Sequence, residues 1–342
     1  MTNKAITKKS GATSSSAWNG ISEQLDQIGA TNMVHHKHPG SICVINYKGG
    51  VGKTTVTALL GIYLSKVAKK KVLLFDIDPQ CSLSLALGYD PEKVSDTELT
   101  VFNLVEPKAW TKLKNKKLEN YTQTLKSAYL PQKLRVVPGS FNSDELDYTI
   151  AKTLLKDERR YLAELFLYAK QLLMSFEDEY DYVLVDCPPN KMFLTQAMLR
   201  ACSFYLPVTI PDQISIYGMP RLIRWVCQID PPGDRPQLLG YILNALNRAG
   251  GGSRGTGSQQ RAQTDLVRNV RNSLNEKERE VIGKSADVGT IPRLDVIAKF
   301  LGEDKSAIQD FRKKTSAQPS VDECMVTIRN EVMHRIATFH GN

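Results

Sequence analysis

Eight consecutive residues constrain this chain more than any others: Lys48-Gly49-Gly50-Val51-Gly52-Lys53-Thr54-Thr55. An apolar run at 42–46 leads into them, and Val56, Ala58, Leu59 and Leu60 follow. That order predicts a strand, a glycine-rich turn and a helix. Glycines let the backbone curl closely around an anion, so successive N–H groups form a nest. The following helix turns the positive end of its dipole toward the same point. Lys53 is then placed to reach the outer phosphates of a nucleotide, and the Thr54 hydroxyl to ligate Mg²⁺.

The usual phosphate-loop pattern, G-x-x-x-x-G-K-[ST], is not met in full, because Tyr47 stands where its first glycine falls. A lysine, Lys48, precedes Gly49-Gly50 instead. The resulting K-G-G-x-G-K-[ST]-[ST] is a deviant Walker A motif, and on it the chain resembles the ParA/MinD group of P-loop ATPases. The resemblance implies that residues 48–55 hold ATP. It also implies that Lys48 reaches across a dimer interface to the partner's nucleotide.

Two later segments fit the same reading. Residues 72–76 predict a second strand, which ends in Asp76-Ile77-Asp78-Pro79-Gln80. At strand spacing, i and i+2 share a face, so Asp76 and Asp78 project together from the carboxyl end of the sheet, where α/β proteins bind ligands. The D-x-D-P-Q run is similar to the family's switch I, which implies that Asp76 serves the metal shell and Asp78 orients the attacking water. Residues 182–185 form an apolar strand closing on Asp186, a Walker B pattern that puts Asp186 in the Mg²⁺ shell. Asp186-Cys187-Pro188-Pro189 is similar to switch II. Cys187 reads as a small buried residue, since no histidine lies nearby in sequence to activate it.

Further along, residues 134–140 predict a short strand and turn, and 161–176 a helix with an apolar stripe. Strands are expected at 204–211 and 238–244, with a helix at 213–228 between them. By the resemblance Asn244 contacts the adenine, and Pro292 and Arg293, in a T-x-I-P-R segment, pack against the base. Residues 294–299 depart from the family's usual continuation. The helix at 321–339 carries Met325, Ile328, Val332, Ile336 and Phe339 on one stripe. It reads as a core-packing helix, not as the membrane-binding helix that ends MinD-type proteins, because it has few lysines and carries Asp322, Glu323 and Glu331.

Residues 1–39 form a polar, basic leader, and 40–342 a single ATPase domain. A short amphipathic helix is expected at 18–28, and His35, His36 and His38 read as part of a polar linker. The basic stretch at 108–117 reads as a solvated face. Six cysteines show no C-x-x-C pair and no metal-ligand spacing, so they read as reduced core thiols of a cytosolic protein. A net charge of +9 suits a polyanionic partner. Arg254, Arg261, Arg268 and Arg271, with Arg221 and Arg224 as a second group, are the candidate DNA contacts.

The fold expected is α/β: a doubly wound, mostly parallel sheet of the P-loop NTPase type with helices on both faces. The resemblance to the ParA partition ATPases implies an ATP-driven switch with ATP and Mg²⁺ as cofactors. Its basal turnover would be weak and partner-stimulated. A homodimer would form with ATP, bind DNA nonspecifically and position a plasmid, chromosome or protein cargo with a ParB-like activator. Such a protein is cytoplasmic and nucleoid-associated. The alternative is a MinD-type membrane-associated positioning ATPase. An iron–sulfur electron-transfer ATPase would need a second cluster-binding cysteine per subunit, and an amide-forming enzyme an acceptor pocket.

Overall fold

Short continuous apolar runs alternate with amphipathic ones along much of the chain, and the apolar runs become strands buried on both faces. In the computed structural model the described residues are 37–95, 99–110, 117–125, 130–210, 213–229, 232–246, 268, 272, 275–276, 287–292 and 320–341. Their strands are β1 (Ser41–Ile45), β2 (Val72–Asp76), β3 (Gln123–Thr124), β4 (Leu134–Val137), β5 (Tyr182–Asp186), β6 (Phe204–Thr209), β7 (Gln237–Leu238), β8 (Tyr241–Leu246) and β9 (Asp287–Pro292). They join in one sheet of order β3-β4-β2-β5-β1-β6-β8-β9, with β7 also paired to β6. Every described pairing is parallel except β3 with β4.

The longer described helices are α1 (Lys53–Lys66), α2 (Leu146–Leu154), α3 (Glu158–Met174), α4 (Phe193–Ala201), α5 (Gln213–Cys227) and α6 (Val321–Gly341). Side chains alternate across the sheet, so each strand feeds two cores. Cys43, Ile45, Leu73, Phe75, Val183 and Val185 face one core, with α2, α3, α4 and α5. Ile42, Val44, Val72, Leu74, Leu184 and Leu206 face the other, with α1 and α6. This is the doubly wound arrangement expected, with helices on both faces. Among the described residues, no helix is long and apolar enough to cross a membrane.

The C-terminal helix packs as its stripe predicts. Met325, Ile328, Val332 and Ile336 are buried in the α1-side core. Tyr63 on α1 donates to Asp322 (2.6 Å), and Arg335 to the Leu239 carbonyl (2.6 Å). Phe339 is the exception on that stripe, at 46% exposed, although its ring still meets Phe204 edge-on.

Three expectations are corrected. The strand expected at 238–244 is two strands, because Gly240 takes φ +112° and turns the chain between β7 and β8. The helix expected at 161–176 starts earlier, at Glu158, where the Asp157 side chain accepts from Arg160 N. His38 is not part of a solvated linker. It is fully buried, donating from Nε2 to the Tyr180 carbonyl (3.0 Å) and accepting at Nδ1 from Gly40 N (3.1 Å). His35, His36 and the helix expected at 18–28 lie outside the described residues, as does most of the basic stretch at 108–117.

Candidate functional site

The sheet order itself assembles the site. β5 lies between β1 and β2, so the carboxyl ends of these three strands deliver the glycine-rich loop, Asp76 and Asp186 to one place. Asp186 stands in register with Val44 on β1 and with Asp76 on β2.

The loop is shaped by close approach. Gly52 caps α1 at φ +89°, a region that side chains disfavour, and a Cβ there would strike the Asn244 amide at 2.0 Å. Asn244 donates to the Val51 carbonyl (2.8 Å), so β8 is pinned to the loop. On the other side Asn46 donates to the Val208 carbonyl (2.7 Å) and accepts from Lys48 N (3.1 Å). Lys53 is 6% exposed, and its ammonium folds back toward the Lys48 carbonyl (3.4 Å). Burial lowers the Lys53 pKa, while Asp186 and Asp78 act in the opposite sense. A buried, loop-facing ammonium beside a helix N-terminus is a seat for a polyanion.

Asp76 and Asp186 are both fully buried. Burial first, then the charge of Asp76, pushes Asp186 up to about 8. Burial likewise pushes Asp76 up to about 6, against two bonds from Ser84 that hold its charge. Those bonds, from Ser84 N (2.8 Å) and Oγ (2.6 Å), both end on Asp76 Oδ2. Thr57 donates to Asp186 Oδ1 (3.3 Å), and Thr54 also bonds this carboxylate. Asp76 Oδ1 and Asp186 Oδ2 have no hydrogen-bond partner. Two orphaned, buried carboxylate oxygens on residues in register across adjacent strands fit a divalent cation, which would relieve their repulsion. No group of three or more His, Cys, Asp or Glu side chains suited to a metal occurs among the described residues. A cation here would therefore complete its shell with Thr54, water and ligand oxygens, as Mg²⁺ commonly does.

Asp78 lies at the rim, half-buried. Its Oδ1 accepts from Gln80 N (3.0 Å), and its charge bears on Lys53, Asp76 and Asp186. Gly139 closes over Asp76, where a Cβ would lie 3.2 Å from Oδ2. Cys187 is buried, with its sulfur 3.1 Å from that of Cys43, and burial raises its pKa, so it is a packing residue and not a nucleophile.

The structure thus brings together Lys48, Gly49, Gly50, Val51, Gly52, Lys53, Thr54, Thr55, Asp76, Asp78, Asp186 and Asn244. Pro292 ends β9, opposite Leu246 of β8. Arg221 and Arg224 lie on α5, and Arg268 is exposed. Arg254, Arg261, Arg271 and Arg293 lie outside the described residues. Sequence reasoning missed Asn46, Thr57 and Ser84. Thr57 follows Lys53 by one helical turn, so its face of α1 was a usable signal. The reach of Ser84 to Asp76 had none.

A family profile described as an AAA domain matches residues 40–234, more than half of the chain. The curated relatives include the chromosome-partitioning ATPase Soj of Treponema pallidum, 34% identical over 190 residues, covering 55% of this chain and 64% of Soj. The chain is a ParA/MinD-type P-loop ATPase. A putative replication protein A of Rhizobium rhizogenes is 28% identical over 211 residues, 59% of this chain and 49% of that protein. The chain thus spans about half the length of such curated relatives. Among solved structures, apo McdA of Cyanothece superposes with TM-score 0.63 at 17% identity, covering 86% of this ATPase chain and 99% of McdA. MinD of Pyrococcus horikoshii, complexed with Mg-ADP, superposes with TM-score 0.54 at 20% identity, covering 86% and 95%. At those identities the two structures attest the fold.

Proposed function

We propose that this chain is an ATP-driven partition or positioning switch that dimerises around ATP and Mg²⁺ and holds nonspecific DNA while dimeric. The observation that carries the reading is the convergence of Lys53, Asp76, Asp78 and Asp186 on one glycine-rich loop at the carboxyl edge of the sheet. Gly49 to Thr55 and Lys53 would seat the phosphates, while Thr54, Asp76 and Asp186 would hold the cation. Mg²⁺ bound there would neutralise charge on the phosphate oxygens. Asp78 orients water at the rim of the site. Lys48, at the loop's outer end, serves the partner's nucleotide, and hydrolysis releases the dimer. Asn244, with Pro292 and Arg293, borders the base. Turnover is slow alone and stimulated by a ParB-like protein.

The DNA-binding part rests on charge. A monomer offers few cations, and pairing two copies doubles the phosphate contacts on one face. Arg221, Arg224, Arg254, Arg261, Arg268 and Arg271 are the proposed contacts, and their dimeric face keeps the protein on the nucleoid. Fluorescence anisotropy of a random duplex across a salt series, in ATP and in ADP, tests this. Binding is expected in ATP only, with a log–log salt slope near 0.9 per phosphate neutralised. Arg268→Glu with Arg271→Glu is expected to weaken it without changing dimer formation. Equal binding in both nucleotides would refute the reading. The membrane alternative draws no support from α6, whose apolar stripe is occupied by the core.

A further inference from the structure

A cluster beside the nucleotide site joins three elements. Tyr47 directly precedes Lys48, and its ring meets that of Trp225 on α5 at 5.6 Å between centroids. The Lys191 ammonium lies over both rings, 4.5 Å from the Tyr47 centroid and 5.1 Å from that of Trp225. Lys191 belongs to the loop that runs from Asp186 through Pro188 and Pro189 to α4. The same loop touches the phosphate loop, since a Cβ on Gly49 would lie 4.0 Å from Pro189. Asn190 ties its far end to α4, accepting from Met192 N (3.1 Å) and Thr195 Oγ1 (3.0 Å).

Three features leave this contact open to competition. Among the described residues no carboxylate pairs with Lys191, so the rings supply its attraction. Arg221, on the next turn of α5, carries a like charge that acts on both Lys191 and Tyr47. The Tyr47 hydroxyl is buried without a hydrogen-bond partner, so no hydrogen bond fixes the ring in place. A negatively charged nucleotide seated on the loop at Gly49 would compete with the rings for the ammonium.

We propose that Lys191 is a positioning residue whose hold on Tyr47 and Trp225 transmits nucleotide occupancy to α5, the helix bearing Arg221 and Arg224. This rests on the ATP-switch reading above. ATP draws Lys191 off the rings, α5 is released from the loop, and its basic face becomes competent for a polyanion. The chain has three tryptophans, at 18, 110 and 225, so Trp18→Phe with Trp110→Phe leaves Trp225 as the sole tryptophan, read by excitation at wavelengths that tyrosine does not absorb.

In that full-length background, Trp225 emission is recorded during titration with ATP and Mg²⁺, while calorimetry measures nucleotide affinity independently. The expected result is an emission change with ATP that Lys191→Ala abolishes and Lys191→Arg restores, at unchanged ATP affinity. The ratio of duplex affinity in ATP to that in ADP is expected to fall toward one in Lys191→Ala and to recover in Lys191→Arg. If ATP binds and the emission change persists in Lys191→Ala, the coupling is wrong and the ATPase reading stands. If calorimetry detects no ATP binding to the parent chain, the underlying reading fails and the proposal with it. Lys191 is exposed, so thermal melts of the variants serve as the folding control.

Discussion

Asp186 carries opposite demands. Its pKa is raised, so the native state binds a proton that the unfolded chain has released between about pH 4 and 8. Stability of the nucleotide-free protein therefore falls as pH rises through that window, and above it the ionised carboxylate is held at full cost. Asp186→Asn removes the charge and keeps the shape. At pH 8.5 it is expected to stabilise the nucleotide-free protein by roughly 1–3 kcal/mol, seen as a higher Tm. The same variant is expected to lose about tenfold or more in Mg²⁺-dependent nucleotide affinity. Calorimetric scans with and without Mg²⁺ and ATP check both halves, and a less stable nucleotide-free variant would contradict the first. Much at this scale was legible beforehand. The glycine-rich loop between Lys48 and Lys53, the paired carboxylates at 76 and 78 and the strand closing on Asp186 all depend on local spacing. Asn46 and Ser84 were not, because their partners lie 162 and 8 residues away and are set by packing, not by period.

Elements followed the same division. Strands β1, β2 and β5 are continuous apolar runs, and a run of that kind is readable because both faces are buried. The break at Gly240 was hidden, since a single glycine in an apolar run does not announce a positive φ. His38 was misread because a histidine's burial depends on a carbonyl, that of Tyr180, supplied from 142 residues away. Helix α6 offers the sharpest element-scale test. Ile328 is fully buried between α6 and the sheet. Ile328→Ala is expected to cost about 2–5 kcal/mol, measured by urea unfolding. A change below about 0.5 kcal/mol would mean that α6 is not core, since only surface substitutions are that mild.

Across the whole molecule, the end of the sheet opposite the nucleotide site carries its own charge cluster. Lys37 donates to the carbonyls of Cys202 and Asp234 (both 3.0 Å), while Lys170 and Arg200 bond the Asp234 carboxylate. Burial first, then Lys170, pushes Lys37 down to about 7. Between pH 7 and 10.5 the unfolded chain therefore binds a proton that the native state lacks, so this group makes stability rise with pH there and contributes no slope below. Relative to Lys37→Met, the natural chain is expected to gain up to about 1.4 kcal/mol per pH unit across that window. Parallel stability profiles for the two proteins would contradict it. The central claim, an ATP-held dimer that the switch carboxylate turns over, is tested most directly by sedimentation velocity on Asp78→Ala in ATP and Mg²⁺. The account predicts a persistent dimer whose turnover is lower by about 10²-fold or more. A variant that stays monomeric in ATP, or that hydrolyses it at the unaltered chain's rate, would contradict the account.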